Sequence, residues 1–173
     1  MILLGLGSNL PTAAYGGPRE NCEAALAALA AEGVAILRRS RWYESAPVPP
    51  SDQPWFVNGV AAVATGLSPE ACLALCHRIE RRFGRERRQR NASRTLDLDL
   101  LAWDDRRLEG GSAGVTVPHP RLHERAFVLL PLAEVVAPDW RHPTLGLTLE
   151  ALIRRLAQGQ VAFPLPGEEG EVP

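Results

Sequence analysis

Asp97 and Asp99 alternate with leucines in Arg94-Thr95-Leu96-Asp97-Leu98-Asp99-Leu100-Leu101, directly after an arginine-rich stretch. Alternation of this kind marks a half-buried strand. Residues two apart on a strand share a face, so the carboxylates stand side by side roughly 6–7 Å apart. Aspartate is depleted in strands and like charges on one face repel, so something positive belongs between them. A hard divalent cation, Mg²⁺ shared with phosphate oxygens, meets that demand. Taken alone, the pair also fits two solvated aspartates on the wet face of a sheet.

The neighbouring charge narrows the choice. Residues 81–94 read RRFGRERRQRNASR, seven arginines against the single acid Glu86. Such a loop at the base of a diacid strand makes sense if a polyanion bridges the two, with metal on one side and guanidinium forks on the other. The whole chain carries a formal charge of −1, so the positive charge is local. A duplex-binding protein wears a broad basic face instead. A small polyphosphate such as a nucleotide is the favoured ligand, and no nucleic-acid partner is expected.

Two further clusters could read a flat ring. Residues 45–58, SAPVPPSDQPWFVN, form a rigid proline-rich loop that leads into aromatic residues and an asparagine. Asparagine offers both a donor and an acceptor, so Asn58 could read a heterocycle's edge while Phe56 stacks on its face. Residues 118–127, PHPRLHERAF, bring histidine, arginine and a second aromatic into ten positions, enough for phosphate ligands and another stacking ring. Each cluster alone also fits a structural role.

These residues need elements to hold them. The chain of 173 residues with 46% hydrophobic content can bury one good core and is expected as a single domain over 1–157. Residues 2–6 read as an apolar strand ending in the turn-forming Gly5-Leu6-Gly7-Ser8-Asn9. Pro18 opens a helix to about Ala31, with Ala25, Leu26 and Leu29 on one face. A second strand is expected over 34–43, a stiff loop over 46–54, and a third strand over Phe56–Ala64. Ser68 and Pro69 cap a helix that runs to Phe83, and the strand with Asp97 and Asp99 follows. Beyond it, 104–107 reads as a hairpin turn and 116–120 as an extended loop. Helices are expected over 124–135, interrupted by Pro131, and over 148–157. Residues 158–173, rich in proline, glycine and acid, are expected to be a poorly ordered or surface-draped tail. This order suggests an α+β fold, an antiparallel sheet of ferredoxin-like topology with helices on its faces, in a three-layer αβα sandwich.

Composition bounds the setting. No apolar run reaches the length of a membrane span, and MILLGLGSNL lacks the basic start and long apolar stretch of a signal peptide, so a cytoplasmic protein without a membrane partner is expected. The three cysteines, Cys22, Cys72 and Cys76, lack metal-site spacing and read as reduced core residues. Every basic residue other than histidine is arginine; the chain contains no lysine.

Taken together, Gly5-Leu6-Gly7-Ser8-Asn9, the Asp52-Gln53-Pro54 loop with Phe56 and Asn58, Arg78-Ile79-Glu80, Arg94-Thr95-Leu96-Asp97-Leu98-Asp99, and Val117-Pro118-His119 followed by Arg125 and Phe127 resemble, in order, the family of 6-hydroxymethyl-7,8-dihydropterin pyrophosphokinases. The resemblance covers roughly residues 2–155. It implies transfer of pyrophosphate from ATP to the pterin hydroxymethyl group in folate biosynthesis, with AMP released and two Mg²⁺ ions bound by a monomer. It implies Asp97 and Asp99 as metal ligands. Arg85, Arg87, Arg94, His119 and Arg125 would then hold phosphates, and His77, Glu80 and Thr116 would lie by the nucleoside. Phe56 and Phe127 would sandwich the pterin, whose edge Asn58 and the backbone around Ser45, Ala46 and Val48 would read. Arg85 and Arg94 would close from a lid over 84–93.

The chain departs from the family pattern in three places. Phe56 replaces a frequent tyrosine, Asn91-Ala92-Ser93 lacks a tryptophan, and Gly114 stands where some members carry an arginine, a loss that Arg107, Arg121 or Arg88 could offset. Two readings from other classes compete. A noncatalytic nucleotide- or RNA-binding module has no need of the diacid, and a metal-dependent phosphohydrolase needs more carboxylate or histidine ligands.

Overall fold

The leucines and alanines that dominate the strands give a sheet whose two faces can both pack against helices. The structure, a computed structural model, describes residues 1–85, 93–110 and 114–167. Among them the chain runs β1 (Ile2–Ser8), α1 (Pro18–Ala31), β2 (Ala35–Arg39), β3 (Tyr43–Ser45), β4 (Phe56–Ala64), α2 (Pro69–Arg82) and β5 (Asp97–Trp103). A 3₁₀ turn (Leu122–Glu124), α3 (Ala126–Leu132), α4 (Leu149–Ile153) and β6 (Ala162–Pro164) complete it. The sheet is antiparallel, ordered β5-β1-β4-β3-β6, with β2 also paired to β4. With β2 and β3 taken as one broken strand, this is the βαββαβ order of a ferredoxin-like fold.

Alternation along the strands divides the sheet's faces. Ile2, Leu4, Leu6, Ala61, Val63, Leu98 and Leu100 face α1 and α2, where they meet Cys22, Leu29, Cys72, Leu75 and Ile79. Leu3, Val60, Ala62 and Leu101 face the other way, onto Leu129 and Leu132 of α3 and Leu149 and Leu152 of α4. The result is the three-layer sandwich read from the sequence. The second face is covered at one end only. Its other end, bearing Gly7, Asn58, Asp97 and Asp99, opens into a cavity.

Three elements differ from the sequence reading. The strand expected over 34–43 is interrupted, because the Ser40 hydroxyl takes the Val60 N–H at 3.0 Å and donates to the Arg41 carbonyl at 2.7 Å, replacing ladder bonds. The helices expected over 124–135 and 148–157 are shorter: the first begins only at Ala126, and the second stops at Ile153, beyond which Arg154 and Arg155 face solvent. The expected tail is corrected at residues 162–164. They form β6, because β3 would otherwise be an open edge, and the adjacent Leu165 N–H binds the Trp42 carbonyl at 2.8 Å. Residues 168–173 lie outside the described ones.

Close packing makes Gly59 indispensable on the α1/α2 face. A Cβ there would sit 2.6 Å from Cζ3 and 2.7 Å from Cε3 of Trp42, whose ring is buried and whose Nε1 donates to Glu23 at 2.7 Å. Gly59→Ala is expected to cost about 1–3 kcal/mol through overpacking, seen as a lower urea midpoint with an unchanged denaturant slope.

Candidate active site

The cavity has a volume of about 510 Å³, the size of a ligand site. Its floor is a row across three neighbouring strands. Gly7 of β1 pairs with Asp97 of β5 on one side and with Asn58 of β4 on the other. A Cβ at Gly7 would lie 3.0 Å from Asn58 Oδ1 and 3.8 Å from Asp97 Cβ, so glycine keeps the floor open between them. The cavity is lined by Phe56, Phe127 and residues 45–49, and by Asp97, Asp99, Arg85, Arg94, His119 and Arg125.

Asp97 and Asp99 share a face of β5 as their alternation required. The Asp97 carboxylate accepts from Arg85 through Oδ1 and from Arg94 through Oδ2. Arg125 Nη1 stands 3.8 Å from Asp99 Oδ2. Burial pushes the Asp99 carboxyl up to about 7, with the Asp97 charge adding to the rise and Arg125 and Arg85 opposing it. These are hard oxygen donors held together against their repulsion, and they fit Mg²⁺. No group of three His, Cys, Asp or Glu residues suited to a metal occurs among the described residues, so bound phosphate and water would complete the shell.

His119 owes its place to β5. A bulge between Leu100 and Ala102 leaves the Leu101 carbonyl facing outward, where it accepts the His119 N–H at 2.8 Å. Burial, aided by the Arg125 charge, lowers the imidazole to about 4, so it is neutral at pH 7. Its Nδ1 accepts the Arg121 N–H at 3.1 Å, which leaves the proton on Nε2 as a donor.

Arg85 and Arg94 are aimed by buried polar groups behind the cavity. Glu80, 1% exposed, accepts from Arg85 and also from the Leu98 N–H on the outer edge of β5 at 2.9 Å. Asn9 takes the Arg94 N–H on Oδ1 at 2.8 Å, gives its own N–H to the Arg94 carbonyl at 3.0 Å, and reaches the Pro54 carbonyl through Nδ2 at 3.0 Å. Asn21 of α1, fully buried, binds the carbonyls of Leu10 at 2.9 Å and Thr95 at 3.1 Å. Asn58, 6% exposed, donates from Nδ2 to Ser45 Oγ at 2.7 Å, so its amide orientation is fixed.

Of the residues singled out by sequence, Arg85, Arg94, Asp97, Asp99, His119, Arg125, Ser45, Ala46, Val48, Phe56, Asn58 and Phe127 all line this cavity. His77, Glu80 and Thr116 do not; Glu80 lies behind the wall, and the Thr116 hydroxyl takes the Gly110 N–H at 3.1 Å. Arg87 and most of the 84–93 loop lie outside the described residues. Among the arginines that could offset Gly114, Arg121 lines the cavity, Arg107 donates to the Pro143 carbonyl at 2.9 Å, and Arg88 lies outside the described residues. Sequence reasoning missed the supporting roles of Asn9 and Asn21. A polar residue amid the apolar positions of α1 was the available signal for Asn21.

Known proteins share sequence and fold with this chain. Residues 3–137 match the family model described as 7,8-dihydro-6-hydroxymethylpterin-pyrophosphokinase. A Synechocystis protein named 2-amino-4-hydroxy-6-hydroxymethyldihydropteridine pyrophosphokinase is 40% identical over 168 residues, covering 96% of this chain and 82% of its own. A Pseudomonas aeruginosa protein of the same name is 43% identical over 82% of this chain and 83% of its own. In structure, the chain resembles a crystal structure of Plasmodium falciparum HPPK-DHPS with a TM-score of 0.66 at 16% identity, over 88% of this chain and 43% of that one, a likeness of fold alone. With matched sequence running through the strands, the carboxylate pair and both walls of the cavity, the chain belongs to the 7,8-dihydro-6-hydroxymethylpterin-pyrophosphokinase family.

Proposed function

We propose that this cavity transfers the terminal pyrophosphate of ATP to the hydroxymethyl oxygen of 6-hydroxymethyl-7,8-dihydropterin, giving AMP and the pterin diphosphate in folate biosynthesis. The observation that carries the reading is the Asn58–Gly7–Asp97 row. It spans two strand spacings, about 10 Å, and so sets the asparagine of β4 and the carboxylate of β5 in one cavity, within reach of a ring and its substituent.

Phe56 and Phe127 hold the pterin between their faces, while Asn58 and the backbone around Ser45, Ala46 and Val48 read its edge. That fixes the hydroxymethyl oxygen toward the charged residues. Arg85, Arg94, Arg125 and the Nε2–H of His119 grip the polyphosphate, and Arg121 adds charge at the rim. Asp97 and Asp99 would hold Mg²⁺, in two ions, which when bound neutralises phosphate oxygens and acidifies the hydroxyl. The hydroxyl gives its proton to solvent water, its oxygen attacks the β-phosphorus, the bond from that phosphorus to the α–β bridging oxygen breaks, and AMP leaves with the electron pair. Since no covalent intermediate forms on the protein, positioning and charge neutralisation supply the acceleration. His77, Glu80 and Thr116 border the nucleoside only by family resemblance; Glu80 acts here through Arg85 and β5. No helix among the described residues is long and apolar enough to cross a membrane. Three free, buried cysteines suit a reducing cytoplasm.

Incubation with ATP, Mg²⁺ and the hydroxymethyl dihydropterin is expected to release AMP, identified by chromatography. Release of ADP, or no turnover, would reject the reading.

A further inference from the structure

The segment after α4 lies beyond the stretch matched to the family model, yet it ties the two walls of the cavity together. The Val161 carbonyl accepts the Ala46 N–H at 3.1 Å on the proline-rich wall. One residue earlier, Gln160 reaches the opposite wall with both ends of its carboxamide. Its Oε1 accepts the Ala126 N–H at 2.9 Å, and its Nε2 donates to the Glu124 carbonyl at 2.8 Å. The two backbone groups flank Arg125.

The chemistry of a helix start explains why that matters. The first N–H groups of a helix lack partners within it, and a side chain at the N-cap normally takes one of them. At α3 the N-cap is Arg125, extended at φ −115° and ψ 116°, with no capping bond from its own side chain. Arg125 cannot cap, because a guanidinium has only donors and because its side chain points to Asp99 and over the Phe127 ring, 5.5 Å from the centroid. The cap is therefore supplied from a residue 34 positions away.

We propose that Gln160 is a positioning residue: its carboxamide clamps the backbone on both sides of Arg125 and so aims Arg125 and Phe127 into the cavity. The proposal rests on the reading of that cavity as the pyrophosphate-transfer site. Gln160 touches neither substrate, and its effect passes through the 124–126 backbone.

Gln160→Met keeps the side chain's bulk and removes both hydrogen bonds; Gln160→Ala removes the bulk as well. Amide hydrogen exchange of the full chain, resolved over 124–129, and steady-state AMP release are measured for each beside the parent. Expected is faster exchange at Ala126 in both variants, with kcat reduced by ten- to a hundredfold, as small misplacements at a reacting centre produce. The KM for ATP and the urea midpoint should move far less, a split that simple loss of stability would not give. Unchanged exchange at 124–129 overturns the proposal, and so does faster exchange with kcat within twofold of the parent. A parent protein that makes no AMP counts against the transfer reading itself; a parent that makes AMP beside unaffected variants counts against Gln160 alone.

Discussion

Asp97→Ala is expected to lower AMP formation by a factor on the order of 10³ or more while leaving the fold intact, because three supports are lost at once. A metal ligand disappears. Arg94 loses the carboxylate that its Nη1 grips, and Arg85 keeps only Glu80. Asp99→Ala removes the companion ligand and leaves Arg125 without its nearest carboxylate. Neither aspartate packs in the cores on the two faces of the sheet, so the stability change should stay within about 1 kcal/mol. Turnover at saturating substrates, Mg²⁺ titration and urea unfolding make the measurement. Near-normal activity with an unaltered Mg²⁺ dependence in either variant removes the metal assignment.

The second large effect is selective for one substrate. Phe127→Ala is expected to weaken pterin binding by about 2 kcal/mol, roughly thirtyfold, through lost stacking and lost apolar contact. Asn58→Ala should cost about 1–3 kcal/mol, since the ring's polar edge would then be buried without its partner. Binding of an ATP analogue should stay within about twofold for both variants, because stacking and edge bonds act on the pterin alone. Calorimetric titration with each ligand separately decides the matter. Equal losses for both ligands would mean that the cavity as a whole has collapsed or that the pterin contacts are wrongly assigned.

Local signals served well where one physical rule dominated. Proline at the first helical position and glycine past the last set α1, and the serine cap with its proline set α2. The valine- and alanine-rich Phe56–Ala64 is β4 as read. What escaped depended on distant partners. β6 is three residues long, contains proline and earns its conformation only by pairing with β3. The break between β2 and β3 turns on a serine hydroxyl that reaches Val60 twenty positions on. At the site, residue types named the chemistry, and alternation placed the two aspartates. Asn9 resembles any turn residue until the fold brings the Arg94 backbone to both its ends. Glu80, on a helix that covers the opposite face, reaches the cavity's arginine only because β5 is the last strand and the carboxylate can pass around its side.

That position of β5 has a cost outside chemistry. A terminal strand normally offers a row of unpaired backbone groups on which another chain can add, the usual seed of aggregation. Here the outward Leu98 N–H ends on the Glu80 carboxylate and the outward Leu101 carbonyl on the His119 N–H, while two aspartates stand on the same strand. Groups that assemble the candidate site thus also occupy outward backbone positions of this terminal strand, on which another chain could otherwise pair.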